Sequence, residues 1–371
     1  MEESSWSAIH ITYYDDRKDD LILDAVQPLL ARIAGAVRCA YFTRHWRRGP
    51  QVLVPVLASP SAFRDVVEPA AREIVGGYLV RHPSTASLPP EAALLEVHRR
   101  LAEMEQDEGP LRPLRPDNSI SFEAHDRRLR TLGGEAASDL LADFYAAGND
   151  LTFRMLEHVR AGRSRETLGL SLMLAVAHSF WGDPPDIRSG FVSFRSHAEA
   201  FLHHSSDPAW ARAQFDHRYE RNRQALGRLV RGVLETLDRG GSGRVLFVSE
   251  WVELLRPFWV RAATLAESGQ LGPALGQPPE NPPAHGRGQS PLHQTMRDSD
   301  VFRRRFFDDP QFQRYRLTLN YTYLEMARLG VMGYARYLLC HLAANAVEET
   351  LGVDALQMIE GVVAGATAGA S

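Results

Sequence analysis

The sequence has 371 residues, 44% of them hydrophobic and 24% charged, and a formal net charge of −4 at pH 7. A chain of this length and composition buries a large core and predicts two or three domains or one elaborated domain. The negative net charge argues against a general nucleic-acid binder, although the basic runs RHWRR and FRRRFF could bind an anionic or peptide partner. Two distant cysteines and a polar beginning predict a cytoplasmic protein without structural disulfides, and no apolar run reaches the ~18 residues that cross a membrane.

The first 80 residues alternate between strand and helix patterns. WSAIHITYY predicts a strand, Leu21–Ala36 an amphipathic helix, RCAYFTRHW and QVLVPVLA two strands joined at RRGP, and Pro60–Leu79 a second helix. A β-α-β-β-α order of this kind is typical of a ferredoxin-like, split βαβ arrangement. We therefore expect residues 1–83 to form an α/β part.

The middle of the chain, residues 84–135, is rich in proline around one short helix, Ala92–Glu105, and is a candidate boundary or lid. NSISFEAH within it predicts a further strand that extends the first sheet. Residues 136–371 are helical in pattern, apart from the Gly/Pro stretch QLGPALGQPPENPPAHGRGQSP, which predicts a functional or disordered loop. The predicted helices are Ala136–Ala146, Asp150–Arg160, Arg165–Phe180, His197–His204, Pro208–Leu237, Val245–Ala266, Asp309–Leu329, Tyr334–Thr350 and Val353–Val363. The predicted fold class is therefore α+β, with a small sheet and a large helical remainder.

The stretch SGFVSFRSHAEAFLHH, residues 189–204, places three histidines in one segment. In a helix His197 and His204 share a face but lie ~10 Å apart, too far for one metal ion with bonds of ~2 Å to nitrogen. Two interpretations of these histidines therefore remain: a role in acid or base chemistry, or an ordinary place on the surface. The only lysine is Lys18, which excludes a Walker-type phosphate loop and disfavours Schiff-base chemistry. No pattern indicates a cofactor or a metal, and we expect none.

A polar stripe marks the helix YLLCHLAANAVEE near the end of the chain. His341, Asn345 and Glu348 fall on one face at i, i+4 and i+7. The stripe either ties this helix to its neighbours through a polar network or lines a cavity in which the histidine acts as an acid or base. On the preceding helix, Tyr323 is either a core residue or a hydrogen-bond donor to a cavity. Tyr219, in the basic stretch FDHRYERNR, is a weaker candidate.

Several stretches resemble one protein family. Trp6, the pair YY at 13–14, PLL at 28–30 and YFTRHWRRGPQVLVPV resemble the C-terminal elimination domain of lantibiotic dehydratases and its stand-alone relatives in thiopeptide pathways. FRSHAEAFL and the long run from SPLHQTMRDSD to YLLCHLAANAVEE are similar to thiopeptide pyridine synthases, which share that fold. The likeness spans most of the chain and is weakest in its middle.

Two departures distinguish the chain from the elimination enzymes of this family. Those enzymes carry HLRLR arginines and an H-x-x-x-N-R ending, whereas this chain reads QVLVP at 51–55 and HLAANA at 341–346. An enzyme that expels an anionic glutamate is expected to keep cations for it, so glutamate elimination becomes the weaker alternative. The altered GPQVLVPV also favours a second alternative, a non-catalytic partner protein that binds a leader peptide.

The resemblance implies a cofactor-free enzyme that acts on a ribosomally made precursor peptide, and it leaves a homodimer open. Such an enzyme joins two dehydroalanines in a formal [4+2] cycloaddition and then loses water and the leader peptide to give a pyridine. One amide must become an imidic acid, which requires a proton donor and an acceptor, and holding the alkenes together lowers the barrier through proximity.

Eleven residues are assigned to this chemistry. Those for proton handling are His197, His341, Ser193, Ser196, Tyr323 and Tyr219, and those for substrate binding are Arg44, Arg47, Arg195, Asn345 and Glu348. Arg44 and Arg47 belong to the N-terminal part, which we expect to bind an acidic leader peptide; a solvated turn is the alternative for Arg47.

Overall fold

A computed structural model gives the fold of residues 3–87, 89–105, 107–240, 243–271, 290–299 and 309–368. These residues group into a sheet unit and a helical unit. The sheet unit comprises the described residues of Met1–Thr131, Leu141–Arg163 and Ala327–Gly330, and the helical unit those of Leu132–Leu140, Ser164–Met326 and Val331–Ser371. The sequence-based boundaries at residues 83 and 135 stay predictions. The Gly/Pro stretch, apart from its ends, and the run FRRRFF lie outside the described residues.

The sheet is antiparallel and has β1 and β4 at its centre. Its strands are β1 Ser5–Thr12, β2 Cys39–Ala40, β3 Thr43–His45, β4 Gln51–Ala58 and β5 Ser119–Ala124. β1 pairs with β4 on one side and with β5 on the other, while β2 and β3 both pair with the far side of β4. This is the strand order of the ferredoxin-like arrangement. The predicted α+β class and the extra strand in NSISFEAH are therefore confirmed.

Pro55 explains why the predicted strand RCAYFTRHW is divided into β2 and β3. β2 ends opposite Val56 and β3 begins opposite Leu53, so the break in the ladder lies beside Pro55. Proline has no N–H to donate to a neighbouring strand. At this point the Pro55 carbonyl accepts a hydrogen bond of 3.2 Å from the Tyr41 N–H.

The helices that follow β1 and β4 each contain a π-helical turn just before a proline. Helix α1 consists of Lys18–Leu21, the π turn Ile22–Val26 and Gln27–Ile33, and helix α2 of Pro60–Ala62, the π turn Phe63–Val67 and Glu68–Arg81. Pro28 and Pro69 are the second residues of the segments that follow these turns. Because proline lacks the N–H that would bond four residues back, the wider turn accommodates it without ending the helix.

The other described helices are α3 Glu91–Glu105, α4 Leu129–Leu132, α5 Glu135–Arg160, α6 Arg165–Ser179, α7 Ile187–Gly190, α8 Val192–His204, α9 Pro208–Asp238, α10 Val248–Glu267, α11 Pro291–Arg297, α12 Pro310–Arg328, α13 Tyr334–Leu351 and α14 Ala355–Ala368. Two of them differ from the predicted helices. α5 continues through Gly148, where the sequence predicted two helices; a glycine costs a helix only ~1 kcal/mol relative to alanine. α8 begins at Val192, five residues before the predicted start at His197.

Helix α6 forms the centre of the helical unit. Every residue from Leu168 to Ala177 is buried, which is typical of a helix surrounded by others. A Cβ added to Gly169 would lie 3.2 Å from a methyl group of Leu339, so α6 and α13 approach closely at this glycine. α8 and α9 also pack against α13. Within the described ranges, no helix is both long and apolar enough to cross a membrane.

Candidate active site

The turn at Gly190 fixes the start of α8 against α6 and α12. A Cβ at Gly190 would lie 2.2 Å from the Ala177 carbonyl oxygen, so only glycine lets the turn press against α6. The Gly190 carbonyl accepts a hydrogen bond of 2.6 Å from the buried Tyr315 hydroxyl of α12. Asp186 caps α7 by accepting a hydrogen bond from the Arg188 N–H. These contacts hold α8 and α12 side by side.

A cavity of about 100 Å³ lies between α8, α11 and α12. Its lining residues are Ser189, Val192, Ser193, Ser196, His197, Met296, Phe312, Arg316, Leu319 and Asn320. Three of the predicted proton-handling residues, Ser193, Ser196 and His197, are among them. Arg316 and Asn320 are four residues apart and so share one face of α12. The cavity therefore combines hydroxyl, imidazole, guanidinium and amide groups among apolar side chains.

The structure brings His197 and Tyr323 together. His197 Nδ1 lies 2.9 Å from the Tyr323 hydroxyl, which lies 3.5 Å from Cys340 Sγ. Burial raises the pKa of Tyr323 well above its usual value and raises the pKa of the Cys340 thiol to about 11. Both groups therefore keep their protons at neutral pH, and the Tyr323 O–H can donate to either neighbour.

Two arginines give the surroundings of His197 a positive charge. Burial, and after it the charges of Arg336 and Arg316, lower the pKa of His197 to about 3. The Arg336 guanidinium lies over the Tyr323 ring at 5.4 Å and over the Tyr337 ring at 4.8 Å, and donates to the Tyr337 hydroxyl at 2.9 Å. His197 is thus neutral at neutral pH, in a positive environment that stabilises negative charge developing on a substrate oxygen.

Ser196 is paired with a second histidine, His293 of α11. Ser196 Oγ lies 3.0 Å from His293 Nε2, and His293 Nδ1 lies 2.6 Å from Ser290 Oγ. Ser290 also caps α11 by accepting a hydrogen bond from the His293 backbone N–H. Burial lowers the pKa of His293, so its imidazole is neutral and has one N–H and one free lone pair. One serine therefore donates to the ring and the other accepts from it.

A separate polar network joins α8, α9 and α13, and it contains four of the predicted residues. Arg195 forms an ion pair with Glu348 and donates to the side-chain oxygen of Asn345. Asn345 Nδ2 lies 2.9 Å from His341 Nε2, and an Asp216 carboxylate oxygen lies 3.0 Å from the same nitrogen. Burial, and after it the charge of Arg195, lower the pKa of His341 to about 4. None of the four predicted residues is among the described residues that line the cavity.

The histidines of this region do not converge on one point. His197 and His341, which were predicted to face one cavity, belong to different hydrogen-bond networks. Arg195 and His197 are two residues apart on α8, so they point to different sides of the helix. His204 Nδ1 lies 2.8 Å from the Ala200 carbonyl oxygen. Within the part of the chain that the structure describes, no three His, Cys, Asp or Glu side chains are grouped so as to hold a metal ion.

The remaining predicted residues lie outside the cavity lining. The buried Tyr219 hydroxyl donates to a Glu349 carboxylate oxygen at 2.6 Å. In the sheet unit, Arg44 forms an ion pair with Asp19, and its side chain is only 8% exposed. Arg47 Nη1 lies 2.8 Å from Asp107 Oδ1. These arginines are thus partnered by carboxylates of the protein itself, and their role in leader binding stays a prediction.

Sequence reasoning missed four polar residues around the cavity: Arg316, Asn320, His293 and Arg336. A signal for two of them is present, because Arg316, Asn320 and Tyr323 stand at i, i+4 and i+7, the same spacing as the stripe on α13. His293 follows Ser-Pro-Leu, a typical helix start. Nothing in that local pattern places it beside Ser196, 97 residues away.

Comparison with known proteins identifies the family. The model of the C-terminal part of lantibiotic biosynthesis dehydratases matches residues 6–347, which include all the residues that line the cavity. The chain belongs to the lantibiotic dehydratase C-terminal family. No curated protein sequence matches it significantly.

Two solved structures show which lantibiotic dehydratase C-terminal proteins the chain resembles. It is 36% identical to the pyridine synthase TbtD from thiomuracin biosynthesis, with a TM-score of 0.78 over 94% of this chain and 100% of that one. It is 21% identical to TsrL, with a TM-score of 0.71 over 97% of this chain and 99% of that one. The likeness to TsrL shows a common fold.

Proposed function

We propose that this protein is a thiopeptide pyridine synthase. The observation that carries the proposal is the 36% identity to the pyridine synthase TbtD over 94% of the chain. The cavity supports it, because His197 and Ser196 supply proton-transferring groups beside two guanidinium groups. The proposed substrate is a ribosomally made peptide with two dehydroalanines, and the proposed reaction needs no cofactor.

The chemistry begins with proton transfer on one amide. The amide beside one dehydroalanine loses its N–H proton and gains a proton on oxygen, which creates a 2-azadiene. Two C–C bonds then join the azadiene to the second dehydroalanine and close a six-membered ring. Loss of one water molecule and of the leader peptide as its carboxamide makes the ring aromatic. No oxidant is required, because the two eliminations supply the unsaturation.

His197 and Tyr323 form the proposed relay for this proton. When His197 Nδ1–H donates to the Tyr323 oxygen, the hydroxyl proton turns to Cys340, and Nε2 is free to act as a base. Nε2 takes the amide N–H proton, and the imidazolium that forms returns this proton to the amide oxygen, so the step neither gains nor loses a proton. The pKa of about 3 keeps His197 neutral beforehand and makes its imidazolium a ready proton donor.

Ser196 and His293 form a second proposed acid–base pair on the same cavity. The Ser196 hydroxyl lines the cavity and has His293 behind it at 3.0 Å, so it can pass a proton between the substrate and that imidazole. Arg316 and Asn320 also line the cavity and would hold the amide oxygen as it gains negative charge. Ser193 contributes a further hydroxyl to the wall.

The size of the cavity limits what it holds in this conformation. At about 100 Å³ it is smaller than the ~300 Å³ at which ligand pockets usually begin. It accommodates the reacting amide but not two alkenes with their neighbouring rings. Entry of the substrate therefore requires that side chains of the cavity wall move.

Mass spectrometry after incubation with synthetic peptides tests the proposal. A bis-dehydroalanine peptide should lose water and its leader and gain the absorbance of a pyridine. Loss of glutamate from a glutamylated peptide would instead indicate an elimination enzyme, and an unchanged peptide that still binds would indicate a non-catalytic partner. At the altered segment, Gln51 bonds His10 at 2.8 Å and Val52 and Val54 are buried, so these three side chains supply no cation for glutamate.

A further inference from the structure

Ser196, His293 and Ser290 form a line of hydrogen bonds that begins at the cavity. Ser196 lines the cavity, and its Oγ lies 3.0 Å from His293 Nε2, while His293 Nδ1 lies 2.6 Å from Ser290 Oγ. Both distances are within the ~2.6–3.2 Å over which a base accepts a proton. A hydroxyl beside an imidazole that a third group holds in place is the arrangement of a nucleophile, its base and an orienting residue.

The N-terminal cap of α11 holds the His293 ring. Ser290 Oγ accepts a hydrogen bond of 3.4 Å from the His293 backbone N–H, and the same oxygen has a second lone pair for a proton on Nδ1. When Nδ1 carries the proton, Nε2 presents its lone pair to the Ser196 hydroxyl. The imidazole is then oriented to take the proton from Ser196.

A carboxylate three residues along α8 from Ser196 supplies the negative charge that the Ser290 hydroxyl lacks. Burial lowers the pKa of His293, and the charge of Glu199 acts in the opposite direction. The Glu199 side chain is only 14% exposed and is held by Arg212 at 2.6 Å. Its charge favours the imidazolium that forms when His293 takes a proton.

The remaining residues of the cavity lining fit the acyl group of an ester. Arg316 and Asn320 would hold the carbonyl oxygen as it gains negative charge. Val192, Leu319 and Met296 supply apolar surface for a methyl group. The volume of about 100 Å³ is enough for an acetyl group but not for a long acyl chain.

We propose that Ser196 is a nucleophile, and that the protein transfers a short acyl group from an activated ester to water through an ester bond to Ser196. The proposed cyclisation makes no covalent bond to the protein, so this activity goes beyond it and does not rest on it. Ser196 would serve as a proton carrier in the one reaction and as the attacking atom in the other.

Each half of the reaction moves one proton through His293. The Ser196 oxygen attacks the carbonyl carbon, and its proton passes to His293 Nε2. The tetrahedral intermediate then collapses: the C–O bond to the leaving alcohol breaks, and the alcohol oxygen takes the proton from His293. A water molecule repeats these steps on the ester of Ser196 and releases a carboxylic acid. The sum is the hydrolysis of one ester, with no oxidant or reductant involved.

Methanesulfonyl fluoride tests the nucleophile directly, because its sulfonyl group is small and stays on a serine that attacks it. Attack forms an S–O bond, fluoride leaves, and His293 takes the proton. We expect tandem mass spectrometry of the digested wild-type protein to locate the sulfonyl group on Ser196. Ser196→Ala should remain unlabelled, and His293→Gln should be labelled about 10²-fold more slowly.

Ser189→Ala provides the matched control. Ser189 lines the same cavity, but within the part of the chain that the structure describes its hydroxyl has no imidazole partner. This variant should be labelled on Ser196 at the wild-type rate. Far-UV circular dichroism shows which variants fold, and the position of the label in the wild type decides the proposal even where a variant does not.

Turnover is measured with 4-nitrophenyl acetate. The wild type should release about one equivalent of nitrophenolate in a burst and then more slowly, because the acetyl group must leave Ser196 before the next cycle. Competing acetylation is limited, since the only lysine is Lys18, and Lys18→Arg should leave the burst unchanged. A wild type that is unlabelled or labelled only at other residues, or an equal burst in Ser196→Ala, would overturn the proposal.

The two assays separate this inference from the proposed function. If Ser196 is labelled and hydrolyses the ester but no peptide is cyclised, the proposed function fails and the nucleophilic serine stands. If a bis-dehydroalanine peptide is cyclised and Ser196 reacts with neither reagent, the inference fails alone.

Discussion

Replacing Arg195 by leucine would leave Glu348 without its cation at a position that water reaches poorly. The side chains of Arg195 and Glu348 are 12% and 20% exposed, and Arg195 also donates to Asn345. Removing one partner of a buried ion pair typically costs ~3–5 kcal/mol, because the remaining charge is unpaired. Glu348 keeps one hydrogen bond, from the Ala355 N–H at 3.2 Å, so we expect a loss of ~2–4 kcal/mol here.

The double variant distinguishes a true coupling from a general loss of packing. Arg195→Leu with Glu348→Leu removes both charges, so it should be more stable than Arg195→Leu alone by ~1–2 kcal/mol. Urea unfolding followed by tryptophan fluorescence gives the free energy of unfolding of each variant.

The neighbouring pair Arg223 and Glu349 provides the control. It joins α9 to α13, the helix that also carries Glu348, but its side chains are 51% and 44% exposed. Arg223→Leu should therefore shift the urea midpoint much less than Arg195→Leu. Equal midpoints for Arg195→Leu and the wild type, with a specific rise in KM, would refute the structural role and restore Arg195 as a substrate-binding residue.

Three further predictions concern the two polar networks. Tyr323→Phe removes the hydroxyl 2.9 Å from His197 Nδ1, so kcat for cyclisation should fall about 10²-fold or more while far-UV circular dichroism is unchanged. Ser196→Ala removes the link to His293 and should lower kcat at least about tenfold with little change in thermal stability; an unchanged kcat would exclude this pair. The pKa of His341 is about 4 in the folded protein against 6.5 as its ordinary value, so as pH falls from 6.5 towards 4 the unfolded chain takes up the proton first and stability is lost. In His341→Gln, the slope of the unfolding free energy against pH should decrease by the equivalent of about one proton in that window. A slope identical to that of the wild type would show that the folded-state pKa of His341 is not lowered.

The sheet was predictable from local patterns because ferredoxin-like topology follows from the order of its elements. β-branched and aromatic runs indicated the strands. For NSISFEAH the sequence did not show which strand it would pair with, and in the structure it pairs with β1. Two details were not predictable at this level. Pro55 divides the neighbouring strand because it lacks an N–H, and Gly148 is a buried residue in the middle of α5 that does not end the helix.

Helical spacing revealed which side chains share a face, but not what each face meets. His341, Asn345 and Glu348 do share one face, and Arg195 proved to be the partner of Asn345 and Glu348. The pairing of His197 with a tyrosine 126 residues away depends on how α8 packs against α12. Periodicity within one helix carries no information about that packing, so the proton-handling network was predicted only in part.

One measurement tests the central claim most directly: single-turnover mass spectrometry of a bis-dehydroalanine peptide with the purified protein, in the presence of a metal chelator. The account predicts one equivalent each of a pyridine product and a leader carboxamide with the wild type, and a strongly reduced rate with His197→Gln. Loss of glutamate alone, an unchanged peptide, or an equal rate in His197→Gln would contradict it.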